Sequence, residues 1–523
     1  MTECGAFGIP FEEDRASSAL ISATPAQADG LRPSSGDRSL HADIPPSNDE
    51  PSSKATGPWY RELNSYHWFV FVVAALGWLF DTMDQQLFTL ARPLAMIDLI
   101  QLEPADPPAA EPGEAEDKHK ERIAAWEKAR NDELSATRKE HGGYATSIFL
   151  IGWATGGLIF GVLGDRWGRV KTMLITIIVY SVFTGISAFS RGFWDFCFWR
   201  FLTGLGVGGE FAVGVSLVAE VMPSRARPHA LGLLQALSAV GNITAALIGM
   251  AGTSWQTMFL IGTAPALLSL VVRRRLKEPE RWQSASTTDG VKKQLGSYSE
   301  LFGDPELRYR ALIGLLLASA GVIGLWGIGF FTPDLQREVF KPVFEAEGLK
   351  GPELDATLKK WSGITSLVLN CGAFFGIYMF SHVSQYLGRR PTFAICLIGA
   401  MFATMNVFWN LGKFNGVYDI FWMVPLMGFF QLSIFGGYAV YFPELFPTRL
   451  RSTGTSFCYN VGRFVAALGP FTLGKLIRNV YSGPGFEGAT SFRYAGVTMC
   501  AIFLIGLVAL PFAPETKDKP LPE

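Results

Sequence analysis

Charged residues are scarce in this chain of 523 residues: Asp, Glu, Lys and Arg together make up 17% of it, and the formal net charge is -1. A chain without a basic excess lacks the electrostatic footprint of nucleic-acid binding, so we expect no nucleic-acid partner. The six cysteines are scattered without a pairing or metal-ligand spacing, which predicts neither disulfides nor a metal site. The sequence shows no nucleophile–base constellation or phosphate-binding loop, so it predicts neither an enzyme nor a cofactor.

Long apolar blocks are what the chain has instead. Apolar residues make up 49% of the sequence and aromatic residues 13%. They are gathered in long runs, whereas soluble proteins spread them at the periodicity of a core. Twelve runs are long enough to cross a bilayer, which predicts an all-α membrane protein with twelve transmembrane helices. The predicted spans lie at 67–97, 144–164, 171–190, 194–222, 228–252, 256–275, 309–332, 362–386, 391–411, 418–447, 452–474 and 489–513.

Basic residues in the short loops predict the orientation in the membrane. They cluster after the second, fourth, eighth and tenth spans, whereas the opposite short loops carry few. Because cytoplasmic loops are enriched in Lys and Arg, we expect both termini to lie in the cytoplasm. The membrane is expected to be the plasma (inner) membrane. The predicted division is a disordered cytoplasmic tail at 1–66, a first six-helix half at 67–275, a cytoplasmic linker at 276–308, a second half at 309–513 and a cytoplasmic tail at 514–523.

Two of the predicted external loops are long insertions, at 98–143 and 333–361. The first contains charged, helix-forming sequence, and pairs such as Glu116 and Lys120 have the spacing that supports an exposed helix. We expect a solvated external helix there, with a lid or a dimer contact as the alternative. Apart from that alternative, the chain is expected to be a monomer.

A short motif occurs once in each half at nearly the same spacing. Residues 220–227 read EVMPSRAR and residues 444–451 read ELFPTRLR, so Glu, Pro and both Arg recur 224 positions later. A Gly-Arg pair at 168–169 recurs 220 positions later at 388–389. Two copies of one membrane unit imply two pseudo-symmetric halves with a site between them.

Residues 161–171 read GVLGDRWGRVK and match a known consensus pattern for a loop, G-x-L-x-D-R-x-G-R-x-K. On this motif the chain resembles the major facilitator superfamily over roughly residues 67–517, and the resemblance implies the major facilitator fold. We expect a conformational latch, because Asp165 can face the positive N-terminus of a neighbouring helix while arginines bind carboxylates at helix ends. The second copy has Gln385 and Tyr386 at the Asp and Arg positions, which predicts a weaker latch. The candidate latch residues are Gly161, Asp165, Arg166, Gly168, Arg169, Glu220, Arg225, Arg227, Gly388, Arg389, Glu444, Arg449 and Arg451.

Three short patches narrow the resemblance. Residues 80–84 (FDTMD), 208–211 (GGEF) and 460–463 (NVGR) look like motifs of the organic-acid:proton symporters, the group with sialate, lactate and aromatic-acid carriers. Residues 514–517 (PETK) resemble instead the ending of sugar porters. The resemblance thus implies a proton-coupled carrier of small molecules, with an organic acid or a sugar as its substrate.

Of the charged side chains inside the predicted spans, five are candidates for function. Asp81, Asp84, Glu210 and Arg463 lie near mid-depth, and Arg200 lies in the outer third. Because a charge at the bilayer centre costs roughly 3 kcal/mol or more, each is a functional candidate. The three carboxylates and Arg200 are the candidates for proton coupling, with internal neutralisation, for example of Asp84 by Arg200, as the alternative. Arg463 suits bidentate binding of a substrate carboxylate.

Four polar residues join Arg463 as substrate-binding candidates: Gln235, Gln431, Tyr459 and Asn460. An interhelical hydrogen bond is the alternative role of each. The predicted function is secondary active transport by alternating access, in which a small organic anion and a proton cross the lipid bilayer together. A sugar or polyol proton symporter is the first alternative, although a neutral sugar does not require a central cation. A non-transporting membrane sensor is the second, although a protein that does not cycle has less use for a latch.

Overall fold

A computed structural model describes residues 57–522 apart from short gaps at 102–105, 110–111, 113–114, 252, 266, 268–271, 273–274, 288–293, 467–468, 482–484 and 486–488. Most of the predicted disordered tail, residues 1–56, lies outside the described residues. Helices dominate the described ranges, and no strand occurs in them. This is the all-helical architecture that the sequence predicts.

The chain order divides the helices into two groups joined by a linker. The first half contains α1 (Ser65–Leu99), α2 (Glu116–Arg166), α3 (Arg169–Ser187), α4 (Phe193–Val221), α5 (Arg227–Met250) and α6 (Trp255–Ile261). The linker carries α7 (Glu280–Thr287) and α8 (Tyr298–Gly303). The second half contains α9 (Pro305–Gly327), α10 (Thr332–Ala346), α11 (Gly351–Leu387), α12 (Arg389–Asn410), α13 (Ile420–Leu445), α14 (Arg451–Ala466), α15 (Gly469–Lys475), α16 (Ala489–Met499) and α17 (Ile502–Ala509).

Ten helical segments among the described residues are long and apolar enough to cross a membrane. They correspond to ten of the twelve predicted spans. The other two are the sixth span, predicted at 256–275, and the eleventh, predicted at 452–474. Both contain gaps in the described ranges, so that α6 and α14 are each shorter than a full span.

Matching turns follow α2 in the first half and α11 in the second. Gly168 and Gly388 occupy them with φ values of 111° and 94°. A side chain with a Cβ atom rarely adopts such angles, so glycine is the residue that these turns require. The 220-residue repeat seen in the sequence therefore corresponds to one backbone turn built twice.

Glycines also bring the helix pairs α2/α4 and α11/α13 into close contact. A Cβ atom on Gly156 would collide with the carbonyl oxygen of Leu205, and one on Gly208 with that of Trp153. In the second half, a Cβ atom on Gly376 would collide with the carbonyl oxygen of Phe429. Close approach of helix backbones through small residues is how membrane helices gain packing contacts without a hydrophobic driving force.

The helix expected in the first insertion is present and is continuous with the second span; its external location stays a prediction. Helix α2 runs for 51 residues from Glu116. Lys120 and Glu116 pair at 2.7 Å on its exposed part. The charged, alanine-rich sequence before the apolar run has high helix propensity, so the helix has no reason to end at the predicted span boundary.

One face of the helix bundle carries both described ends of the chain, and we call it the terminal face. It comprises residues 57–64 and 513–522, the linker and the turns at 166–168, 222–226, 387–388 and 446–450. Residues 57–66, assigned from the sequence to a disordered tail, are ordered here. Residues Trp59–Glu62 form a 3-10 helix. The guanidinium of Arg225 donates to Glu62 Oε1 at 2.7 Å and to the Gly57 carbonyl at 2.6 Å, which fixes this segment.

Equivalent glutamates cap the N-termini of α3 and α12 on the terminal face. Glu278 accepts hydrogen bonds from the backbone N–H groups of Val170 and Lys171 at 3.0 and 3.1 Å. Glu515 does the same for Arg389 and Arg390 at 2.9 and 3.0 Å. A carboxylate at a helix N-terminus satisfies free N–H groups and the positive end of the helix dipole. The PETK segment is thus a helix cap.

Glu515→Gln should lower the free energy of unfolding of the purified protein by about 1 kcal/mol at neutral pH, the usual cost of losing a helix cap. Burial acts to raise the pKa of Glu515, but hydrogen bonds from the backbone of residues 389, 390, 517 and 516 outweigh it and the pKa is lowered. A lowered pKa gives stability that is complete above the ordinary glutamate pKa and is lost as the pH falls through the folded value. Unfolding scans from pH 7 to pH 3 should therefore bring wild type and variant together at low pH. The exposed Glu347→Gln is the control, and equal stability of Glu515→Gln and wild type at pH 7 would contradict the cap.

Candidate functional site

An ion network on the terminal face joins the two halves. Arg169 donates to Asp165 Oδ1 at 2.6 Å and to Glu220 Oε1 at 2.9 Å, all within the first half. Arg451 of the second half donates to the same Glu220 oxygen at 2.8 Å. Arg169 also reaches across to the carbonyl oxygen of Thr448 at 2.8 Å. The side chains of Arg169, Glu220 and Arg451 are fully buried in these pairs, so the halves are in tight contact here.

Asp165 caps the first turn of α14, across the boundary between the halves. Its carboxylate accepts from the backbone N–H groups of Ser452 at 3.1 Å and Thr453 at 2.8 Å. The hydroxyl of Thr453 donates to it as well, at 2.6 Å. This is the helix N-terminus contact that the sequence predicts for Asp165. Each of these bonds must break if the halves separate on the terminal face.

In the second copy of the motif, the pair that matches Arg169 and Glu220 lies within one half. Arg389 donates to Glu444 at 2.8 and 3.2 Å, but both residues belong to the second half. At the position equivalent to Asp165, Gln385 has a side-chain nitrogen without a hydrogen-bond partner in the described ranges. A neutral amide cannot replace the carboxylate at the positive end of a helix. Gln385 is thus the departure from the first copy on which the expectation of a weaker latch rests, and that expectation stays a prediction.

The remaining candidate latch residues hold the terminal face together locally. Arg166 donates to the Leu295 carbonyl of the linker at 3.1 Å. Arg227 donates to the Ala219 carbonyl at 2.7 Å and thereby satisfies the end of α4. Arg449 pairs with Glu300 of α8 at 2.7 Å. A Cβ atom on Gly161 would lie 2.5 Å from Ser456 Cβ, so this glycine permits the close contact of α2 and α14.

Asp165→Asn should shift the protein toward the state that is open on the terminal face. The variant keeps one acceptor oxygen but loses the charge that faces Arg169 and the α14 dipole. A loss of about 1 kcal/mol, typical of a charge at a helix end, corresponds to about a fivefold change in the ratio of the two states. The rate at which a maleimide labels Ser456→Cys, buried between α2 and α14 in the closed state, should rise by that factor. Gln385→Ala, at the matching position of the second copy, is the control, and an unchanged rate in Asp165→Asn would rule out the latch.

Asp84 and Arg200 form a neutral pair in the interior of the first half. Arg200 Nη2 lies 3.7 Å from Asp84 Oδ2. The hydroxyl of Thr184 connects the two, since it accepts from Arg200 at 3.0 Å and donates to Asp84 Oδ1 at 2.7 Å. A hydroxyl that accepts from the cation has its proton free for the carboxylate, which fits an ionised Asp84. This pairing is the one that the sequence suggested for Arg200.

Asp81 and Glu210 are two further buried carboxylates, without a paired cation among the described residues. Asp81 accepts from Gln85 at 3.2 Å through Oδ2, while its Oδ1 has no hydrogen-bond partner in the described ranges. Glu210 Oε2 accepts from the Thr176 hydroxyl at 2.6 Å. Its Oε1 faces Gly77, and a Cβ atom placed on that glycine would lie 2.5 Å from it. Asp81 interacts electrostatically with both Glu210 and Arg463. Two buried carboxyl groups so near each other do not both ionise readily.

Thr176 can adapt to either protonation state of Glu210. Its hydroxyl oxygen lies 2.9 Å from the Met173 carbonyl as well as 2.6 Å from Glu210. A hydroxyl donates one hydrogen bond, so it serves Glu210 when that group is ionised. When Glu210 is protonated, the carboxyl can donate to Thr176 and Thr176 to Met173. The site therefore accommodates a carboxyl group that holds a proton.

Arg463 lies in an aromatic cage between the halves. Its guanidinium carbon is 4.0 Å from the ring centre of Trp153 and 4.1 Å from that of Tyr459. Nη1 donates to the Tyr459 carbonyl at 2.7 Å and to Asn460 Oδ1 at 2.9 Å, while Nε has no partner in the part of the chain that the structure describes. Phe211 stacks on Tyr459 with ring centres 4.0 Å apart. The cage stabilises a buried cation through the ring faces and leaves it able to bind an anion.

Some of the polar substrate-binding candidates make structural contacts, and some have a side-chain oxygen without a hydrogen-bond partner among the described residues. Asn460 is held by Ser456 at 3.0 Å and positions Arg463. Gln431 donates to the Gly324 carbonyl at 2.9 Å, an interhelical bond, and its Oε1 lacks a partner among the described residues. Gln235 is buried, and its Oε1 is equally unoccupied within those ranges. Tyr459 contributes its ring and its backbone carbonyl to the Arg463 cage.

Sequence reasoning missed the hydroxyl groups that serve the buried carboxylates. Thr176 and Thr184 are eight residues apart and fall on one face of α3, two helical turns from each other. Thr453 plays the corresponding part for Asp165. A row of threonines on one side of an apolar span is a usable signal, because a hydroxyl in a membrane helix needs a partner. Trp153, which covers Arg463, gave no signal because an aromatic residue in a span is ordinary.

Known proteins with similar sequences are transporters. The profile of the Major Facilitator Superfamily matches residues 131–470. A putative metabolite transport protein of Haemophilus influenzae is 31% identical over 389 residues, which cover 73% of this chain and 88% of that protein. The cis,cis-muconate transport protein of Acinetobacter baylyi is 29% identical over 388 residues, covering 72% and 86% of the two chains.

Solved structures show the same arrangement of helices. The proton:xylose symporter XylE bound to 6-bromo-6-deoxy-D-glucose superposes with a TM-score of 0.64 at 17% identity, covering 87% of this chain and 98% of that one. The human organic anion transporter MFSD10 superposes with a TM-score of 0.62 at 14% identity, covering 86% and 100%. At such identities the likeness extends to the fold alone.

Proposed function

This chain belongs to the major facilitator superfamily of membrane transporters, and from that membership we propose that it carries a small organic anion together with a proton. The observation that carries the proposal is Arg463, a buried guanidinium whose Nε has no partner among the described residues and which interacts electrostatically with Asp81, a carboxyl group that also has an unpartnered oxygen there. One relative is a cis,cis-muconate transport protein, and muconate is a carboxylate. A neutral substrate would have no use for a cation kept at this depth.

The substrate carboxylate is proposed to bind Arg463 between the two halves. The guanidinium is fixed by Tyr459 and Asn460, so little side-chain freedom is lost when the anion binds. The rings of Trp153 and Tyr459 exclude water and strengthen the charge-assisted hydrogen bond. Gln235 and Gln431 are proposed to contact the rest of the substrate through their unoccupied oxygens.

Proton coupling is proposed to arise because Asp81 and the substrate share one counter-ion. Without substrate, ionised Asp81 balances Arg463 electrostatically. When a substrate carboxylate occupies Arg463, Asp81 loses that compensation and takes up a proton. Both the empty and the loaded site are then neutral, at a ratio of one proton to one monovalent anion. A carrier whose central site is neutral can change between its inward-open and outward-open states at a lower free-energy cost than one whose site is charged.

The other buried charges have supporting roles in this scheme. Asp84 and Arg200 stay ionised and paired, with Thr184 between them. Glu210 keeps its proton throughout the cycle, which the hydrogen-bond geometry of Thr176 permits. The terminal face is proposed to be cytoplasmic, so the network of Arg169, Glu220 and Arg451 would be the inner gate in its closed state. Opening of that gate would release anion and proton into the cytoplasm.

The substrate class is tested with acids and their matched amides. Purified protein is titrated with benzoate and benzamide, and with nicotinate and nicotinamide, while tryptophan fluorescence reports binding near Trp153. We expect binding by carboxylates only, at least about tenfold tighter than by the amides, and lost in Arg463→Ala. Xylose and glucose serve as neutral comparisons. Binding of the sugars but of none of the acids would replace the proposal with a sugar carrier.

A further inference from the structure

Two histidines from different halves are in contact on the terminal face. His229 lies in the first turn of α5, and His382 lies near the end of α11. Their ring centres are 4.5 Å apart. Beside them, a Cβ atom on Gly232 of α5 would lie 2.5 Å from the hydroxyl of Ser381 in α11, so the helices themselves are closely packed. The histidine contact therefore belongs to the closed boundary between the halves.

The N-terminal segment holds this contact from one side. Trp59 stacks on His229 with ring centres 5.5 Å apart and planes inclined by 15°. The 3-10 helix that carries Trp59 is bound to Arg225 through Glu62 and the Gly57 carbonyl. On the other side, Tyr378 packs against His382 with ring centres 4.4 Å apart. Four rings thus form a row that runs from the chain segment before α1, through α5, to α11.

The charged groups around the row are two arginines, each paired with a carboxylate. Arg225 and Arg389 act electrostatically on His229, as does His382. Their carboxylate partners are Glu62 for Arg225 and Glu444 for Arg389, so these acids are already engaged. His229 Nδ1 has no hydrogen-bond partner in the described ranges. His382 Nδ1 lies 3.2 Å from the carbonyl oxygen of Tyr378.

We propose that His229 and His382 make the inner gate sensitive to pH, so that acid on the terminal face opens the contact between the halves. A proton on each ring would place two like charges 4.5 Å apart beside two arginines. Separation of the halves relieves that repulsion, so the open state binds protons more tightly than the closed state. Linkage then requires that falling pH favours the open state. Histidine is the side chain whose ordinary titration range makes this relevant near neutrality.

A consequence follows for the transport cycle, and this part rests on the proposed function and on the cytoplasmic orientation of the terminal face. Each turn of the cycle brings a proton into the cytoplasm. Acid accumulating there would protonate the histidines and hold the empty carrier open inward. Because the carrier must close again before it can reload outside, uptake would slow as the cytoplasm becomes acidic. The histidine pair would thus limit the acid load that the carrier itself produces.

The test measures the conformation directly, apart from transport. Spin labels are placed on Ser224→Cys in the first half and Tyr386→Cys in the second, both exposed on the terminal face, after Cys4→Ser and Cys371→Ser remove native sites. Asp81→Asn is included in every sample so that the proposed coupling proton does not contribute. Distances between the labels are recorded by pulsed electron paramagnetic resonance from pH 8 to pH 5.5. The population at the longer distance, relative to the shorter, should rise about tenfold over this range.

Two variants decide the interpretation. In the double variant His229→Gln and His382→Gln, the distances should no longer depend on pH. His141→Gln, on a histidine near the opposite end of the first half, should behave like the parent protein. A parent protein whose distances do not change with pH, or a double variant that keeps the change, would overturn the proposal. Since no substrate is present, either outcome is independent of whether the carrier transports an acid.

Discussion

Asp81→Asn should abolish the accumulation of substrate driven by a pH gradient and leave exchange of substrate across the membrane intact. A gradient of two pH units supports about a 100-fold accumulation at one proton per monovalent anion, since one pH unit corresponds to about 1.4 kcal/mol. The variant should accumulate nothing above equilibrium. Labelled acid should still exchange against unlabelled acid inside proteoliposomes at a rate near that of the wild type.

The physical reason lies in the two partners available to Arg463. Asparagine has nearly the shape of a protonated aspartic acid, so Asp81→Asn imitates the loaded state permanently. Arg463 then has no competing carboxylate, and the anion binds whether or not a proton is supplied. Coupling is lost although binding persists, which separates this outcome from unfolding or from loss of the site.

Glu210→Gln is the matched control for this prediction. The side chain is equally buried and belongs to the same cluster, but it is proposed to stay protonated throughout the cycle. An amide replaces the protonated acid with little change, so the variant should still accumulate substrate. If Glu210→Gln lost accumulation while Asp81→Asn kept it, the proton would have to be assigned to Glu210.

Arg463→Ala should weaken substrate binding by about 100-fold or more. Removing one member of a buried, hydrogen-bonded charge pair typically costs 2–5 kcal/mol or more, and each 1.4 kcal/mol is a factor of ten. Isothermal titration calorimetry of the purified protein with the best acid from the binding panel measures the change. Uptake into proteoliposomes should fall in parallel.

Arg463→Lys distinguishes charge from geometry. An ammonium keeps the positive charge but loses the planar group whose Nη1 donates to both Tyr459 and Asn460 and which lies against the ring of Trp153. We expect intermediate binding, weaker than wild type by about tenfold. The control is Arg493→Ala, which removes an arginine bonded to the Phe408 and Leu411 carbonyls outside the central cluster. Normal binding by Arg463→Ala would leave the guanidinium with a structural role only.

Much of the fold is readable from the sequence because the bilayer restricts the choices. Apolar runs of membrane-spanning length must be helices, since backbone groups find no partners in lipid. The repeated motifs at 220–227 and 444–451 revealed the two halves, and Gly168 and Gly388 show why the spacing recurs. The order of residues 57–66 was not predicted, because they were assigned together with the Ser-, Pro-, Ala- and Asp-rich tail before them. Their contacts come from Arg225 and His229, which are far away in sequence.

The candidate site was only partly predictable, for a similar reason. The buried charges stand out because lipid excludes them, and Arg200 was expected to pair with a carboxylate of α1. Which carboxylate each arginine contacts depends on the distances between helices. In the structure Arg200 pairs with Asp84, whereas Asp81 interacts with Arg463 only electrostatically. Likewise, Glu210 and Thr176 meet only through the packing of α3 against α4.

The most direct test of proton–anion symport is to record both fluxes together. Proteoliposomes with a trapped pH dye receive labelled acid under an inward proton gradient, with protein-free liposomes subtracted for permeation of the free acid. Acidification of the lumen and uptake of acid should proceed in a ratio of about one proton per monovalent anion, and both should vanish in Arg463→Ala. Acid uptake without acidification above the protein-free level, or acidification only with neutral sugars, would contradict the proposed symport.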